Sequence, residues 1–302
     1  MTTIPVRQII LDEAKVVWPT CITDETILPF MSYQWYVAWL SVHPGWQSYI
    51  LFINNSTIAP FVRKDDTVQF IYAYTDFDDL VGVNTPEIWS SVLDYLKHEG
   101  IKKAELAQIP ENSKTVDFFK TYAENNSNCT IAIGNTTPFI ALPTTFEEYL
   151  ASIREKRKKY NKFRREFPQA RIELSDDPSK DVEQLLSLMK QNSIKEASAT
   201  IEKETFFRKV AGMKDALLTK LSVDDKVVAM QIAFSYKQTM MLYISGYDKT
   251  GYANAGTYLI VSSIKQAIVD GYKKFNFLRG REQYKYELGA KDFALYTITV
   301  NL

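Results

Sequence analysis

The sequence predicts a mixed α/β (α+β) protein of two similar lobes, each a mixed, mostly antiparallel sheet flanked by helices. Three observations carry this expectation. The chain has 302 residues, enough for two domains that each bury a core of their own. A strand, turn, strand, turn, strand pattern from Leu51 to Asp76 returns from Leu221 to Asp248 with a small adjustment in one turn. After each copy comes an amphipathic helix that closes on Glu99-Gly100-Ile101-Lys102-Lys103 or on Asp270-Gly271-Tyr272-Lys273-Lys274. In both, glycine stands where a helix C-terminus favours a left-handed residue.

The elements follow in order. Copy one is expected to hold strands at Tyr49–Ile53, Thr57–Arg63 and Val68–Tyr74, a helix near Pro86–His98, a strand at Lys103–Gln108 and a helix near Lys114–Tyr122. Asn54-Asn55-Ser56 and its counterpart Asp224-Asp225-Lys226 are residue types that tolerate a short hairpin turn, and β-branched and aromatic residues flank both. The join is placed at Pro138–Thr145, where Leu142-Pro143-Thr144-Thr145 reads as a turn followed by an N-cap. The expected division is therefore 1–142 and 143–302. Copy two is expected to have helices at Phe146–Phe167, Lys180–Ser193 and Lys203–Ala211, then strands at Leu217–Val223, Lys226–Ser235 and Thr239–Gly246. A helix at Gly256–Asp270 and strands at Lys274–Leu278 and Ala294–Val300 complete it.

Composition narrows the chemistry. Thirty-six basic residues balance 36 acidic ones, so no global field recruits nucleic acid or an anionic membrane. Cys21 and Cys129 lack metal-site or disulfide-framework spacing and read as reduced thiols in a cytoplasmic protein. No basic segment leads into an apolar one at the N-terminus, and no stretch is apolar for long enough to span a bilayer. With only His43 and His98 present, histidine triads and multi-histidine metal sites have little material, and no metal is expected.

The most informative stretch is Leu242 to Asp270. An apolar strand ends at Ser245-Gly246-Tyr247, a small-residue loop follows, and Gly256 opens a helix with Leu259, Ile260, Ile264, Ala267 and Ile268 on one face. Such a junction directs backbone N–H groups and the positive end of a helix dipole at an anion. Asn254, Ala255, Gly256 and Thr257 would supply the amides, with Gly256 permitting close approach of a pyrophosphate. Tyr247 and Tyr252 flank the loop and could protonate a leaving thiolate; packed tyrosines would look the same. Copy one has Asn84-Thr85-Pro86 at the matching place, and its proline removes a donor.

The segment from Gly246 to Gly289, with its loop ending in Gly256, its strand Phe275-Asn276-Phe277-Leu278-Arg279-Gly280 and its Glu282, Tyr284 and Lys285, resembles the C-terminal region of GNAT acetyltransferases of the CelD-like, cellulose-biosynthesis-associated group. Trp35, Ala59-Pro60-Phe61, Tyr74-Thr75-Asp76-Phe77-Asp78-Asp79 and the basic helix after Pro143 echo the rest of that family. Asn276 stands where the family more often has Asp. The resemblance implies tandem GNAT-like (acyl-CoA N-acyltransferase) lobes, the first degenerate, related to FemAB-like transferases and acting at a cleft between lobes. It implies acetyl-CoA or another acyl-CoA as co-substrate, and an amine acceptor on a small molecule or cell-envelope precursor. An aminoacyl-tRNA-dependent peptidyltransferase and a non-catalytic binding module are the alternatives.

GNAT-type transfer needs a base for the attacking amine and a proton for the departing thiolate. Asp76, Asp79 and Glu282 are the candidate bases and Tyr247 the acid; loop solvation or helix capping is the competing reading of the aspartates. Arg279, Tyr284 and Lys285 are the candidate acceptor-binding residues, against an Arg279–Glu282 ion pair that merely closes the loop. In Arg154–Phe167, eight basic residues accompany two acidic ones; Tyr149, Ile153, Tyr160, Phe163 and Phe167 share one helix face while Arg154, Arg157, Lys158, Lys162 and Arg165 share the other. That basic stripe is either solvated or a surface for CoA phosphates, a nucleotide-linked sugar, an acyl carrier protein or tRNA.

Overall fold

Local backbone chemistry explains most of the element order. In a computed structural model that describes residues 4–192 and 200–302, the chain divides into a unit of residues 1–136 with 293–302 and a unit of residues 137–292. The first unit runs β1 (Val6–Ile9), α1 (Leu11–Cys21), α2 (Tyr33–Leu40), β2 (Gln47–Ile53), β3 (Thr57–Lys64), β4 (Thr67–Gln69), β5 (Val81–Gly82), α3 (Pro86–His98), β6 (Lys103–Pro110), α4 (Lys114–Asn125) and β7 (Cys129–Thr136). The second runs β8 (Phe139–Ala141), α5 (Phe146–Ser152), α6 (Arg154–Glu166), β9 (Arg171–Leu174), α7 (Pro178–Asn192), α8 (Ile201–Ala211), β10 (Ala216–Val223), β11 (Lys226–Tyr236), β12 (Thr239–Tyr247), α9 (Ala255–Val269), β13 (Lys274–Asn276) and α10 (Gln283–Glu287). The last strand, β14 (Ala294–Asn301), lies in the first unit.

Each unit repeats one plan. The sheets run β1-β2-β3-β4-β6-β14-β7, with β5 on β3, and β9-β10-β11-β12-β13-β8. Each has one parallel pair, formed by the strands before and after its long helix: β4 with β6 and β12 with β13. Asn54 and Asn55 have φ 48° and 55°, Asp224 and Asp225 49° and 62°. Two consecutive left-handed residues make a type I′ hairpin, which Asn and Asp accept at low strain. The next turns match too: Lys102 and Lys103 N–H groups both donate to the Asp66 carbonyl, as Lys273 and Lys274 do to that of Gln238. Gly100 (φ +73°) and Gly271 (φ +80°) end the helices that precede them.

The structure differs from the sequence reading in four places. Ala294–Val300, assigned to the second lobe, forms the strand between β6 and β7 of the first sheet. Reciprocally, β8 closes the second sheet against β13, so the division at 142/143 is replaced by a crossing at 136/137 and a return at 292/293. Buried Leu295, Ile298 and Val300, in step only across the register shift between Tyr296 and Ile298, specify a strand but not its neighbour. The helix expected over Phe146–Phe167 breaks at Ile153, whose φ −114° and ψ 56° are non-helical. Its N-terminus is a capping box between Thr145 and Glu148. Finally, Val68–Tyr74 is strand only through Gln69, and Tyr74 is left-handed at φ 63°. The helix expected at Lys180–Ser193 is α7; position 193 lies outside the described residues.

Each unit buries its own core. In the first, Phe61, Phe70, Trp89, Leu106 and Phe119 pack between the sheet and α3 and α4. In the second, Ile260, Ile264, Ala267 and Phe275 form one cluster, and Phe163, Leu221, Ala229, Ala255 and Leu259 another. No helix among the described residues is long and apolar enough to cross a membrane.

Candidate functional site

In the second unit the parallel pair splays. β13 pairs with β12 only from Thr239 to Met241. Beyond Asn276 the chain turns off through a left-handed Leu278 (φ 56°), and the Asn276 Oδ1 accepts the Leu278 N–H at 2.7 Å. β12 continues to Tyr247, still paired with β11 on its other side and irregular in register near Ile232/Ala233. Leu242 to Tyr247 therefore presents backbone groups toward the wedge without a strand partner there. Crevices at the carboxyl ends of parallel strands are where α/β sheets bind ligands.

The loop from β12 to α9 is braced by Asp248. Its Oδ1 accepts the Thr250 N–H (2.8 Å), the Thr250 hydroxyl (2.7 Å) and the Gly251 N–H (3.3 Å), and its Oδ2 pairs with Lys226 at 2.8 Å. The Lys226 ammonium, then these donors, hold the carboxyl well below the usual carboxylate range. Asp248 was not singled out from sequence, although Asp-x-Thr-Gly is a spacing that makes a side-chain-closed turn.

Asn254 begins α9 with φ +73° and no side-chain cap. Of the four amides expected to meet an anion, Ala255 N–H is already engaged by the Tyr252 carbonyl at 3.1 Å, while Gly256 and Thr257 hold first-turn positions whose N–H groups lack intrahelical acceptors. Tyr252 packs on Phe167 at 5.3 Å under the Lys226 ammonium at 5.0 Å, which makes it part of the loop's support. A Cβ at Gly256 would stand 2.7 Å from the Tyr247 ring, so the glycine makes room for that ring, where the sequence reading had it make room for a pyrophosphate. Gly256→Ala is expected to displace the Tyr247 ring and to cost about 1–3 kcal/mol of stability. Urea unfolding beside Tyr247 NMR shifts checks it, and an unmoved ring would refute it.

After β13 the chain is pinned by Lys285. This lysine is only 2% exposed, and its ammonium donates to the carbonyls of Leu278 (3.1 Å), Arg279 (2.7 Å) and Gly280 (3.1 Å) and pairs with Glu282 at 2.9 Å. Expected to hold an acceptor anion, Lys285 is instead committed to its own loop. Glu282, whose competing reading was a pair with Arg279, is exposed and anchored by Lys285. Tyr284 packs edge-on against Phe277. Burial, and then the nearby Glu282 and Tyr247, push its phenol well above the ordinary value. Tyr247, Tyr284, Gly256 and Glu282 thus gather around the wedge, and Arg279 is half-buried in the loop that carries them.

In the first unit Asp76, Asp78 and Asp79 are all buried. Asp79 Oδ1 accepts from Leu80 N–H (2.7 Å), Thr115 Oγ1 (2.5 Å) and Asn84 Nδ2 (3.3 Å), and its Oδ2 accepts from Ser113, the N-cap of α4. With both oxygens occupied, Asp79 ties the preceding loop to Ser113, which itself caps α4 by accepting the Thr115 N–H. Burial nonetheless pushes its carboxyl up to about 6. Asp78 is pushed well above its ordinary value by burial, and its Oδ2 has no hydrogen-bond partner. His43 stacks on Trp39 with Nδ1 2.8 Å from that residue's carbonyl, and His98 is exposed beside Glu99. No group of three or more His, Cys, Asp or Glu side chains suited to a metal occurs among the described residues.

Residues 151–286 match the family model of the acetyltransferase (GNAT) domain. The fold is a tandem GNAT-like pair. The matched segment holds the splayed strands, the Asp248 loop, α9 and the Lys285 loop. No curated protein matches the chain. Among solved structures, FemX superposes with a TM-score of 0.67 at 10% identity, covering 97% of this chain and 96% of FemX. A conserved protein of unknown function from Bacteroides thetaiotaomicron VPI-5482 gives 0.66 at 12% identity, covering 98% of this chain and 99% of that one. L-PGS from Bacillus licheniformis gives 0.61 at 12%, covering 87% and 86%. These likenesses cover nearly the whole chain and concern its fold alone.

Proposed function

We propose that the second unit is an acyl-CoA-dependent N-acyltransferase whose donor enters the wedge between β12 and β13, with its pyrophosphate at the first turn of α9. The observation that carries this reading is the splay after Met241 and Asn276 beside an uncapped helix N-terminus, all inside the segment that matches the GNAT domain. A bound acyl-CoA would supply an activated thioester carbonyl. The unpaired edge from Leu242 to Tyr247 offers amide and carbonyl groups to an extended, amide-bearing arm, and the Gly256 and Thr257 N–H groups offer donors to phosphate. Glu282, exposed and held by Lys285, takes the proton of the attacking amine as the C–N bond forms. Tyr247 gives its proton to sulfur as the C–S bond breaks. Asp76 remains the candidate acceptor-side carboxylate of the first unit, and the CelD-like resemblance favours a cell-envelope or polysaccharide precursor as acceptor.

Titration with acetyl-CoA, a longer acyl-CoA and CoA tests the donor, and binding by none of them would overturn the reading. Glu282→Gln is expected to lower kcat about a hundredfold or more with KM for the donor unchanged; near-normal turnover would remove Glu282 from the chemistry. A second reading, an aminoacyl-tRNA donor, draws on α6. Its Arg154, Arg157, Lys158, Lys162 and Arg165 are all exposed, while Tyr160 and Phe163 face the core. Under that reading tRNA binds with a steep salt dependence that neutralising these residues abolishes.

A further inference from the structure

A cavity of about 570 Å³ in the second unit belongs to none of the machinery above. It follows α9 from Tyr258 to Asp270, and its floor is Leu217 and Thr219 of β10, Gln231 and Ala233 of β11 and Met240 of β12. At 1.5 Å rise per residue its far end, Asp270, lies about 20 Å along the helix from Gly256. Its size falls within the range of roughly 300–1,000 Å³ usual for small-molecule sites.

Gln231 shows what the cavity would take. The residue is 2% exposed. Its Nε2 donates to Ser263 Oγ at 2.5 Å, and Ser263 in turn donates to the Leu259 carbonyl at 3.0 Å. With its one proton directed at Leu259, the Ser263 hydroxyl accepts from Gln231 Nε2. That assignment leaves Oε1 buried with no partner. A buried acceptor without a donor is unfavourable, and a ligand donor is one way to satisfy it.

The remaining lining sets the rest of the ligand. Leu217, Ala233 and Met240 make the floor mainly apolar, Tyr160 and Tyr258 stack at 5.1 Å on its wall, and Ile172 and Leu174 of β9 stand exposed at its edge. Charged groups around it are already engaged. Lys265 lies over the Phe146 ring, Glu173 pairs with Lys220, and Asp270 accepts from Gln266 at 2.8 Å. The geometry points to a binding site for a small neutral molecule with an apolar, ring-sized body and one N–H or O–H donor delivered to Gln231 Oε1.

The test is an NMR titration of the full chain with indole, which carries such a donor, and with 1-methylindole, which has lost it. Indole is expected to shift the Gln231 side-chain amide and the methyl groups of Ala233 and Met240, and to bind roughly tenfold or more tighter than 1-methylindole. Gln231→Met should erase the preference by weakening indole, and Ala233→Phe should fill the floor and exclude both probes. Absence of shifts at these groups, equal affinities in the unaltered protein, or a preference that survives in Gln231→Met would each overturn the assignment. The comparison of the two probes needs no variant, so it stands even where a substitution impairs folding. Failure of acyl-CoA binding bears on the wedge alone and leaves this test intact.

Discussion

Lys285→Met is expected to lower the stability of the second unit by about 3–5 kcal/mol and to abolish the proposed acyl transfer. The ammonium is buried with four acceptors around it: three consecutive backbone carbonyls and the Glu282 carboxylate. Methionine keeps most of the volume and none of the donors. The carbonyls of Leu278, Arg279 and Gly280 would then have to reach water by opening the loop, or stay unsatisfied at about 1–3 kcal/mol each. Those terms do not add, because one opening movement hydrates all three. The same movement releases Glu282 and the left-handed Leu278, so the proposed base and the wall of the wedge are lost together. Far-UV circular dichroism against urea measures the loss. All five tryptophans, at 18, 35, 39, 46 and 89, lie in the first unit, so tryptophan fluorescence shows separately whether that unit is spared. An unchanged dichroism midpoint would refute the pinning role. Lys285→Arg should rescue only partly, since a planar guanidinium does not fit a pocket of three convergent carbonyls as a compact ammonium does.

This lysine also shows where sequence reasoning stops. Lys285 looked like a ligand-binding cation because it sits in a loop after a buried strand. Its true partners are carbonyls aimed at it by the backbone at Leu278 and Gly280, with φ of 56° and 112°, and only folding brings them to one point. What was legible is chemistry local to a few residues: the paired Asn and Asp turns, the glycines that end α3 and α9, and the Thr145 cap. The strand identity of Ala294–Val300 was legible as well, but its sheet was not, because alternation is the same whichever neighbour the strand finds. Gly256 was marked as the place where a pyrophosphate could approach the backbone, and a Cβ there would meet the Tyr247 ring. The nearness of Tyr247 follows from the path of the loop, which Asp248 and Lys226 set through a contact 22 residues apart in sequence. Asp79 and its hydroxyl donors Ser113 and Thr115 are separated by still more, 34 and 36 residues.

That buried aspartate gives the second large effect: the first unit is expected to be more stable at pH 5 than at pH 7. Burial pushes Asp79 up to about 6 and Asp78 well above the ordinary carboxylate value. Between about pH 4 and 6 the folded unit therefore holds protons that the unfolded chain has released, so stability falls as pH rises through the window and is greater on its acid side. For Asp79 alone the displacement is worth about 3 kcal/mol. Asp248 has the opposite sign. Its carboxyl lies below the ordinary value, and the stability it gives the second unit is lost only as pH falls beneath about 4. Urea unfolding followed by tryptophan fluorescence isolates the first unit, and its midpoint should rise from pH 7 to pH 5. In Asp79→Asn the rise should shrink to the part that Asp78 supplies, since asparagine does not titrate and Ser113 can turn its hydroxyl to accept from the new amide. A wild-type midpoint that falls on acidification to pH 5, or an Asp79→Asn profile parallel to wild type, would show that the carboxyl is ionised in the fold and balanced by its four donors alone.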